Sequence, residues 1–146
     1  MAVKEGYRNK GIGTKFMKNI FDILGFKNKY LLLEVENPNY GDNIKLKKRR
    51  VEFYKRHGAR ELKGVRYILP PLMGGTSTEM ILMIMSGYNG DKIYGELIKD
   101  IIMKIYKELS NRDKDDPYLN SFIHDIPSII ELDNYPLLCK NCVITK

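Results

Sequence analysis

The sequence predicts a protein of the α/β (α+β) class, with a mixed sheet flanked by helices and a helical extension at the C-terminal end. A helical pattern, an apolar strand pattern and a second helical pattern alternate over residues 14–57, which is typical of an α/β layer. Two further strand patterns follow over residues 60–69 and 78–86, joined by a connection rich in proline and glycine.

Glycines end the helices of the first half. Helical spacing predicts a helix over residues 14–24, and the glycine at position 25 suits its C-terminal cap. Residues 30–36 carry a nearly continuous apolar run, which predicts a strand covered on both faces. After a loop rich in turn formers, a second helix is predicted over residues 44–57, ending at Gly58.

The strand patterns after Gly58 predict a hairpin-like antiparallel pair over residues 60–69 and 78–86. The second of these strands is the most apolar segment of the chain. Its methionines are predicted to fill the core rather than to hold a cofactor. They are Met80, Met83 and Met85.

The C-terminal third shows mostly helical patterns. Apolar residues recur at helical spacing over residues 91–109, so this helix must bury one face. A polar linker follows, and residues 118–132 predict another helix, interrupted at Pro127. The tail from residue 133 has no clear period.

We therefore divide the chain at residue 88. Residues 1–88 form the predicted α/β domain, and residues 89–146 form a helical extension with an irregular tail.

Length and composition are those of a globular protein. The chain has 146 residues, of which 43% are hydrophobic and 29% charged. Its longest apolar run, residues 80–85, is far too short to cross a membrane, and no apolar signal region follows the first charges. We expect a cytoplasmic protein with no membrane partner.

The net charge of +7 is concentrated in the first half. Residues 1–66 carry 17 Lys and Arg against 7 Asp and Glu, whereas residues 67–146 carry 8 against 11. Such a field attracts a polyphosphate ligand and equally a nucleic acid, and a solvated helix face also explains the cluster at residues 45–50. No recognition motif for nucleic acid accompanies the charge, so this partner ranks last.

The segment Arg-Asn-Lys-Gly-Ile-Gly at residues 8–13 predicts a turn that leads into a helix. Gly11 and Gly13 have no Cβ to block a close approach to the backbone. The free N–H groups and the positive dipole end of the following helix can hold a phosphate group.

Side chains around this turn favour the same ligand. Thr14 is placed to help cap the helix start, and Arg8, Lys10 and Lys15 add positive charge. The glycine pattern of the P-loop that binds nucleoside triphosphates is absent, and so is that of a dinucleotide-binding site. A diphosphate ligand other than ATP or NAD is therefore favoured.

Taken together, these segments resemble the GNAT superfamily of acyl-CoA-dependent N-acetyltransferases. The resemblance rests on Ala-Val-x-x-x-Tyr-Arg-x-Lys-Gly-Ile-Gly at residues 2–13, on the strand over residues 31–36, and on Arg-Arg-Val-Glu-Phe-Tyr-Lys-Arg-His-Gly-Ala at residues 49–59. It covers residues 1–86 and lacks the family's first three strands, its first helices and most of its fourth strand. We therefore expect a partial GNAT-like fold, either truncated or completed by a second copy of the chain.

The resemblance implies acetyl-CoA as co-substrate. In the family, backbone N–H groups of the turn bind the diphosphate of coenzyme A, and the preceding strand, here at Val3, pairs with the pantetheine arm. It further implies that Arg56 reaches the nucleotide end. The turn positions implied in cofactor binding are Arg8, Asn9, Lys10, Gly11, Ile12, Gly13 and Thr14.

Tyr54 is the implied general acid. In the family, the tyrosine of the Phe-Tyr pair protonates the departing thiolate, and a phenol with a pKa near ~10 is protonated at neutral pH. The alternative is that Tyr54, like Phe53, only packs at the helix end. Many relatives carry an asparagine about two turns earlier, where this chain has Lys47.

Two interpretations of the carboxylates on the predicted strand are open, one of which gives the general base. Glu34 and Glu36 lie two residues apart and share one face of the predicted strand, and Glu36, near the carboxyl end, is the candidate base. Alternatively, both carboxylates are ion-paired or solvated.

No metal site is predicted. Cys139 and Cys142 form one pair, whereas structural zinc needs four ligands. His57 is expected to cap the second helix, and His124 to be structural or exposed.

Three functions follow in order of preference. The first is transfer of an acetyl group from acetyl-CoA to an amine, either a small molecule or a peptide. The second is a truncated or degenerate module that binds coenzyme A or oligomerises without catalysis. The third is nucleic-acid binding.

Overall fold

The structure, a computed structural model, describes residues 4–7, 10–24, 30–71, 75–85 and 90–133. The helices and strands are, in chain order, α1 (Ile12–Leu24), β1 (Leu31–Glu36), α2 (Ile44–Arg56), β2 (Ala59–Glu61), β3 (Tyr67–Leu69), β4 (Thr78–Met85), β5 (Lys92–Tyr94), α3 (Gly95–Ser110), α4 (Pro117–Asn120) and β6 (Ile129–Glu131). Single 3-10 turns cover Glu5–Tyr7 and Ile123–Asp125. The α+β class predicted from the sequence is confirmed.

The main sheet is organised around β4, the long apolar strand. β1 pairs along one edge of β4, and β2 and β3 pair one after the other along its opposite edge. Every described pair is antiparallel, so β1 and β2 run in the same direction with β4 between them. Two strands that run in the same direction need a crossover connection between them, and α2 provides the connection from β1 to β2.

Alternation along the strands separates two cores. On one face of the sheet, Val35, Met83 and Met85 pack with Met17 of α1 and Val51 of α2. The opposite face carries residues of β3, β4, α3 and the segment up to residue 132. The described residues thus form three layers. The first contains helices α1 and α2, the second is the sheet, and the third, here called the C-terminal layer, is built from residues 90–133.

A buried arginine attaches the C-terminal layer to the sheet. Arg60 of β2 is only 2% exposed. Its guanidinium donates to the carbonyl oxygens of Asp133 (2.6 Å) and Gly90 (2.7 Å) and to Asp91 Oδ1 (3.0 Å). A buried cation requires such partners because unpaired charge is costly in an apolar interior. This contact joins β2 to both ends of the β5–β6 layer.

The first three elements agree closely with the sequence. α1 begins at Ile12, two residues before its predicted start, and β1 and α2 lie within one residue of their predicted bounds. The expected cap at the end of α2 is confirmed, because His57 Nδ1 lies 2.7 Å from the carbonyl oxygen of Phe53. No helix in the described ranges is long and apolar enough to cross a bilayer.

The single strand predicted over residues 60–69 is wrong. β2 and β3 are separate three-residue strands, and Gly64 between them takes a left-handed φ of 72°. A backbone turn of that kind interrupts the ladder, and the apolar residues on either side conceal it in the sequence.

The helix predicted over residues 118–132 is also wrong. Only Pro117–Asn120 is α-helical, and Ile129–Glu131 is a strand that pairs with the Lys92–Tyr94 strand. The helical extension therefore includes a small two-stranded sheet, and α3 starts at Gly95 rather than at residue 91. Three-residue strands are too short to display alternation, which explains the error.

Asp116 is expected to make stability depend on pH in the acid range. Its carboxylate accepts hydrogen bonds from Arg112 (2.6 Å) and from the backbone N–H groups of Tyr118 and Leu119. Burial alone would raise the pKa of this carboxyl, but these hydrogen bonds hold it below its ordinary value of 3.8. Because the folded pKa lies below the unfolded one, this stabilisation is complete above about pH 4 and is lost as the pH falls through the folded pKa.

We expect Asp116→Asn, which keeps an acceptor oxygen and removes the charge, to lower the free energy of unfolding by about 1 kcal/mol at pH 7. Urea denaturation at pH 7 and pH 2 checks this. The gap between the two proteins should narrow from pH 7 to pH 2, and an equal gap at both pH values would contradict the assignment.

Candidate active site

The predicted phosphate-binding turn lies at the N-terminus of α1. Gly11 takes a left-handed φ of 72°, and the backbone N–H of Lys15 donates to its carbonyl oxygen at 2.9 Å. This is the first hydrogen bond of the helix. The backbone N–H groups of Ile12, Gly13 and Thr14 precede it and have no partner among the described residues. Three adjacent donors at a helix N-terminus are suited to bind an anion.

The charge around this helix start suits the same ligand. No acidic residue lies in the first turn of α1. Lys10 is exposed and its ammonium lies 5.4 Å from the centre of the Tyr7 ring. The predicted capping role of Thr14 is wrong, because Thr14 is the third residue of the helix. Val3, Arg8 and Asn9 lie outside the described residues.

Tyr54 lies on α2 and packs on the same sheet face as α1. It is half-buried, and its ring meets the Phe53 ring edge-on at 5.4 Å. Burial raises the pKa of the Tyr54 phenol, and the positive charge of Arg50 offsets part of that rise. No described residue hydrogen-bonds to its hydroxyl. Tyr54 thus offers a protonated phenol at neutral pH.

Glu36, the candidate base, forms an ion pair with Arg50 of α2. Accepting a proton would remove the charge that holds this pair together. Lys47, the residue found where many relatives have asparagine, donates to the carbonyl oxygen of Tyr40 at 2.5 Å. It therefore closes the loop between β1 and α2.

Glu34 lies in an arrangement that sequence reasoning missed. Its Oε1 accepts a hydrogen bond from the hydroxyl of Tyr67, a fully buried residue of β3. The two residues lie 33 positions apart, and no local pattern joins them. One signal was available in the sequence, because Glu34 interrupts the apolar run of residues 31–35.

The basic residues at the end of α2 differ in their contacts. Lys55 pairs with Asp133 (2.7 Å) and with Glu61 (3.4 Å). Burial alone would lower the pKa of this ammonium, but its pairing with the two carboxylates raises it. Lys55 therefore connects α2 to the sheet and the C-terminal layer, whereas Arg56 is exposed and has no ion-pair or hydrogen-bond partner among the described residues.

A cleft of about 630 Å³ lies along the other flank of α2. Lys48, Glu52 and Lys55 line it from the helix, residues 37–39, 62 and 64–66 line it from the loops, and Glu61 lines it from β2. The 3.6-residue helical period puts Tyr54 on the opposite side of the buried Val51 from these three side chains. The cleft is thus separate from the predicted site.

No group of three or more His, Cys, Asp or Glu residues in the described ranges could hold a metal ion. Cys139 and Cys142 lie outside those ranges. His124 is exposed.

The sequence matches no protein-family model and no curated protein. Among solved structures, the chain is similar to a protein of Bacteroides thetaiotaomicron assigned to the GNAT family as a candidate acetyltransferase. The two chains superpose with a TM-score of 0.59 and share 25% sequence identity over 77% of this chain. This chain has a GNAT-superfamily fold. It spans 57% of the length of that GNAT protein.

Within the GNAT fold, the predicted residues lie on neighbouring elements. The turn residues from Lys10 to Thr14 lie at the start of α1, and α1 and the helix bearing Tyr54 contribute to the same core cluster on one sheet face. Glu36 lies at the end of the adjoining strand and reaches α2 through Arg50. Arg56 lies on the same helix as Tyr54, at its exposed end.

Proposed function

We propose that this GNAT-fold chain binds acetyl-CoA and transfers its acetyl group to an amine. The observation that carries the proposal is the row of N–H groups at Ile12, Gly13 and Thr14, which have no partner among the described residues, at the start of a helix whose Met17 belongs to the same core cluster as Tyr54. Such donors fit a diphosphate, and the phenol fits a departing thiolate. The similarity to a GNAT protein supports the same reaction class.

The division of labour follows from the chemistry of a thioester. The amine must first be neutral so that its nitrogen lone pair can attack the carbonyl carbon. The C–S bond then breaks, and Tyr54 gives its phenolic proton to the thiolate. The backbone donors of α1 bind the diphosphate and hold the cofactor in position. Lys10 and Arg56 supply positive charge, and Val3, Arg8 and Asn9 complete the proposed cofactor site.

The acceptor is proposed as a small molecule or a peptide bearing an amine, in the cytoplasm. A second candidate, a module that binds coenzyme A or oligomerises without catalysis, is favoured by one observation. No described strand pairs with the edge of β1 opposite to β4. A second copy of the chain could pair there. Mass measurement in solution separates the two, since a strict monomer argues against assembly through this edge.

Binding of coenzyme A is expected to depend on the Gly11 turn. Gly11→Ala adds a Cβ at a left-handed φ, next to the backbone N–H groups of residues 12–14, and should raise the Kd for coenzyme A about tenfold. Isothermal titration calorimetry measures it. Gly64→Ala is the matched control, because Gly64 has the same φ of 72° and likewise no atom within 4 Å of an added Cβ.

The control should bind coenzyme A as the parent does. Equal Kd values for both variants and the parent would remove the turn from the site. A folded parent that shows no binding at high micromolar coenzyme A would refute the cofactor half of the proposal.

A further inference from the structure

We propose that the cleft along α2 is a second binding site, and that its ligand is a zwitterion with an apolar body, of the class of amino acids and short peptides. Its volume of about 630 Å³ lies in the range of pockets that bind small molecules. The cleft and Tyr54 lie on different sides of α2, so this site is independent of the proposed acetyl transfer.

The cleft combines an apolar floor with a charged rim. Four apolar side chains that are buried or half-buried line it: Val51, Leu62, Val65 and Ile81. The charged side chains Lys48, Glu52 and Arg66 line the same cleft and are exposed. An apolar group of a ligand would leave water on contact with this floor, which favours binding. The cleft therefore favours a ligand that carries an apolar group between its charges.

The charges that line the cleft sum to zero. Three cations are matched by three carboxylates: Lys48, Lys55, Arg66, Glu52, Glu61 and Glu79. This balance is local, because residues 1–66 as a whole carry an excess of positive charge. A balanced lining favours neither a polyphosphate nor a polyamine, whereas a ligand with one charge of each sign matches it.

Arg66 is held by a polar network and offers donors for a carboxylate. Its Nε donates to Glu79 Oε2 at 3.4 Å, and Glu79 Oε1 accepts from Asn37 Nδ2 at 3.2 Å. Asn37 is only 9% exposed, and its Oδ1 accepts from the backbone N–H of Asn39 at 3.0 Å. The two Nη groups of Arg66 have no partner among the described residues. A guanidinium in this position can bind a ligand carboxylate through both of them.

Glu52 and Lys48 are the charges of the cleft that have no ion-pair or hydrogen-bond partner among the described residues. They lie one turn apart on α2, but the order with lysine first is the less favourable one for pairing within a helix. Lys55 and Glu61, by contrast, pair with each other at 3.4 Å. Glu52 can therefore accept the ammonium of a ligand, and Lys48 supplies a second cation for its carboxylate.

NMR titration of the full chain, without acetyl-CoA, tests the ligand class. The probes are leucine and leucyl-leucine, and the tighter of the two shows whether an amino acid or a short peptide is preferred. At least one should bind with a Kd below about 1 mM, with shifts concentrated at residues 37–39, 48–55 and 61–66. Its N-acetyl form and its C-terminal amide each lack one charge and should bind at least about tenfold more weakly. Equal Kd values for all three forms, or no binding of either probe, would overturn the proposal.

Two variants assign the charges of the ligand to their partners. Glu52→Gln should raise the Kd of the zwitterion at least about tenfold and leave that of the N-acetyl form unchanged, because this form has no ammonium to lose. Arg66→Gln should likewise weaken the zwitterion and spare the C-terminal amide. Glu108→Gln, an exposed change of the same kind on α3, is the control and should match the parent. Urea midpoints show that each variant is folded.

The outcomes also separate this site from the proposed function. A folded Glu52→Gln protein that binds the zwitterion as the parent does would refute the site in this cleft. Glu52→Gln should keep the Kd for coenzyme A within about twofold, because Glu52 lies outside the proposed cofactor site. A parent protein that binds no coenzyme A would refute acetyl transfer and leave the titration with leucine and leucyl-leucine unaffected.

Discussion

Tyr54→Phe is expected to lower kcat with acetyl-CoA about 100-fold while leaving the Kd for coenzyme A within about twofold. The substitution removes only the hydroxyl, and the ring keeps its edge-on contact with Phe53. Without a proton donor, the thiolate must leave as an anion or wait for water. Because burial raises the pKa of Tyr54, its proton should be present throughout the neutral range, and no loss of activity below about pH 10 should trace to its ionisation.

The leaving group provides a sharper readout. An acetyl donor whose thiol has a low pKa, such as acetyl-thionitrobenzoate, needs little protonation, so the loss caused by Tyr54→Phe should shrink with it. Tyr94→Phe is the matched control, because Tyr94 is 72% exposed on β5 and lies in the C-terminal layer. A Tyr54→Phe protein with the parent rate would remove this residue from the acid role.

Gly95→Ala is expected to destabilise the fold by about 3 kcal/mol, a large effect for one methyl group. Gly95 is buried at the first position of α3, and its N–H donates to the carbonyl oxygen of Ser128 at 2.8 Å. A Cβ built there lies 1.9 Å from the carbonyl oxygen of Pro127. That atom belongs to the backbone, so the segment at Pro127 and Ser128, which leads into β6, must shift to make room. The better helix propensity of alanine stabilises the helix by about 1 kcal/mol, which is less than the cost expected from this steric overlap.

Urea denaturation gives the difference in the free energy of unfolding. Gly6→Ala is the control, since an added Cβ there meets no atom within 4 Å, and it should stay within about 0.5 kcal/mol of the parent. If Gly95→Ala were as stable as the parent, the close passage of the Pro127 backbone over α3 would be wrong.

Helices α1 and α2 and the strand β1 were predictable because their signals are local and repeat. Thirteen residues of α1 and of α2 provide more than three helical turns each, and Gly58 marks a stop that uses only neighbouring residues. The turn at Gly11 was predictable for the same reason. The three-residue strands β2, β3, β5 and β6 were not, because their existence depends on partners distant in the chain.

The candidate site residues also differ in whether local signals or distant contacts reveal them. Tyr54 and the turn from Lys10 to Thr14 were identified through a resemblance carried by short contiguous segments. The hydrogen bond between Glu34 and Tyr67 was not, and neither was the contact from Arg60 to Asp133 across 73 positions.

The sequence by itself determined the class of the fold, the turn at Gly11 that leads into a helix and the tyrosine on α2, because each depends on interactions within a few neighbouring residues. Only the tertiary structure decided how two carboxylates on one strand differ, with Glu36 bound to Arg50 and Glu34 held by Tyr67. It also decided that residues 90–133 cover the second face of the sheet. These outcomes depend on strand register and on packing between distant segments, which side-chain periodicity does not encode.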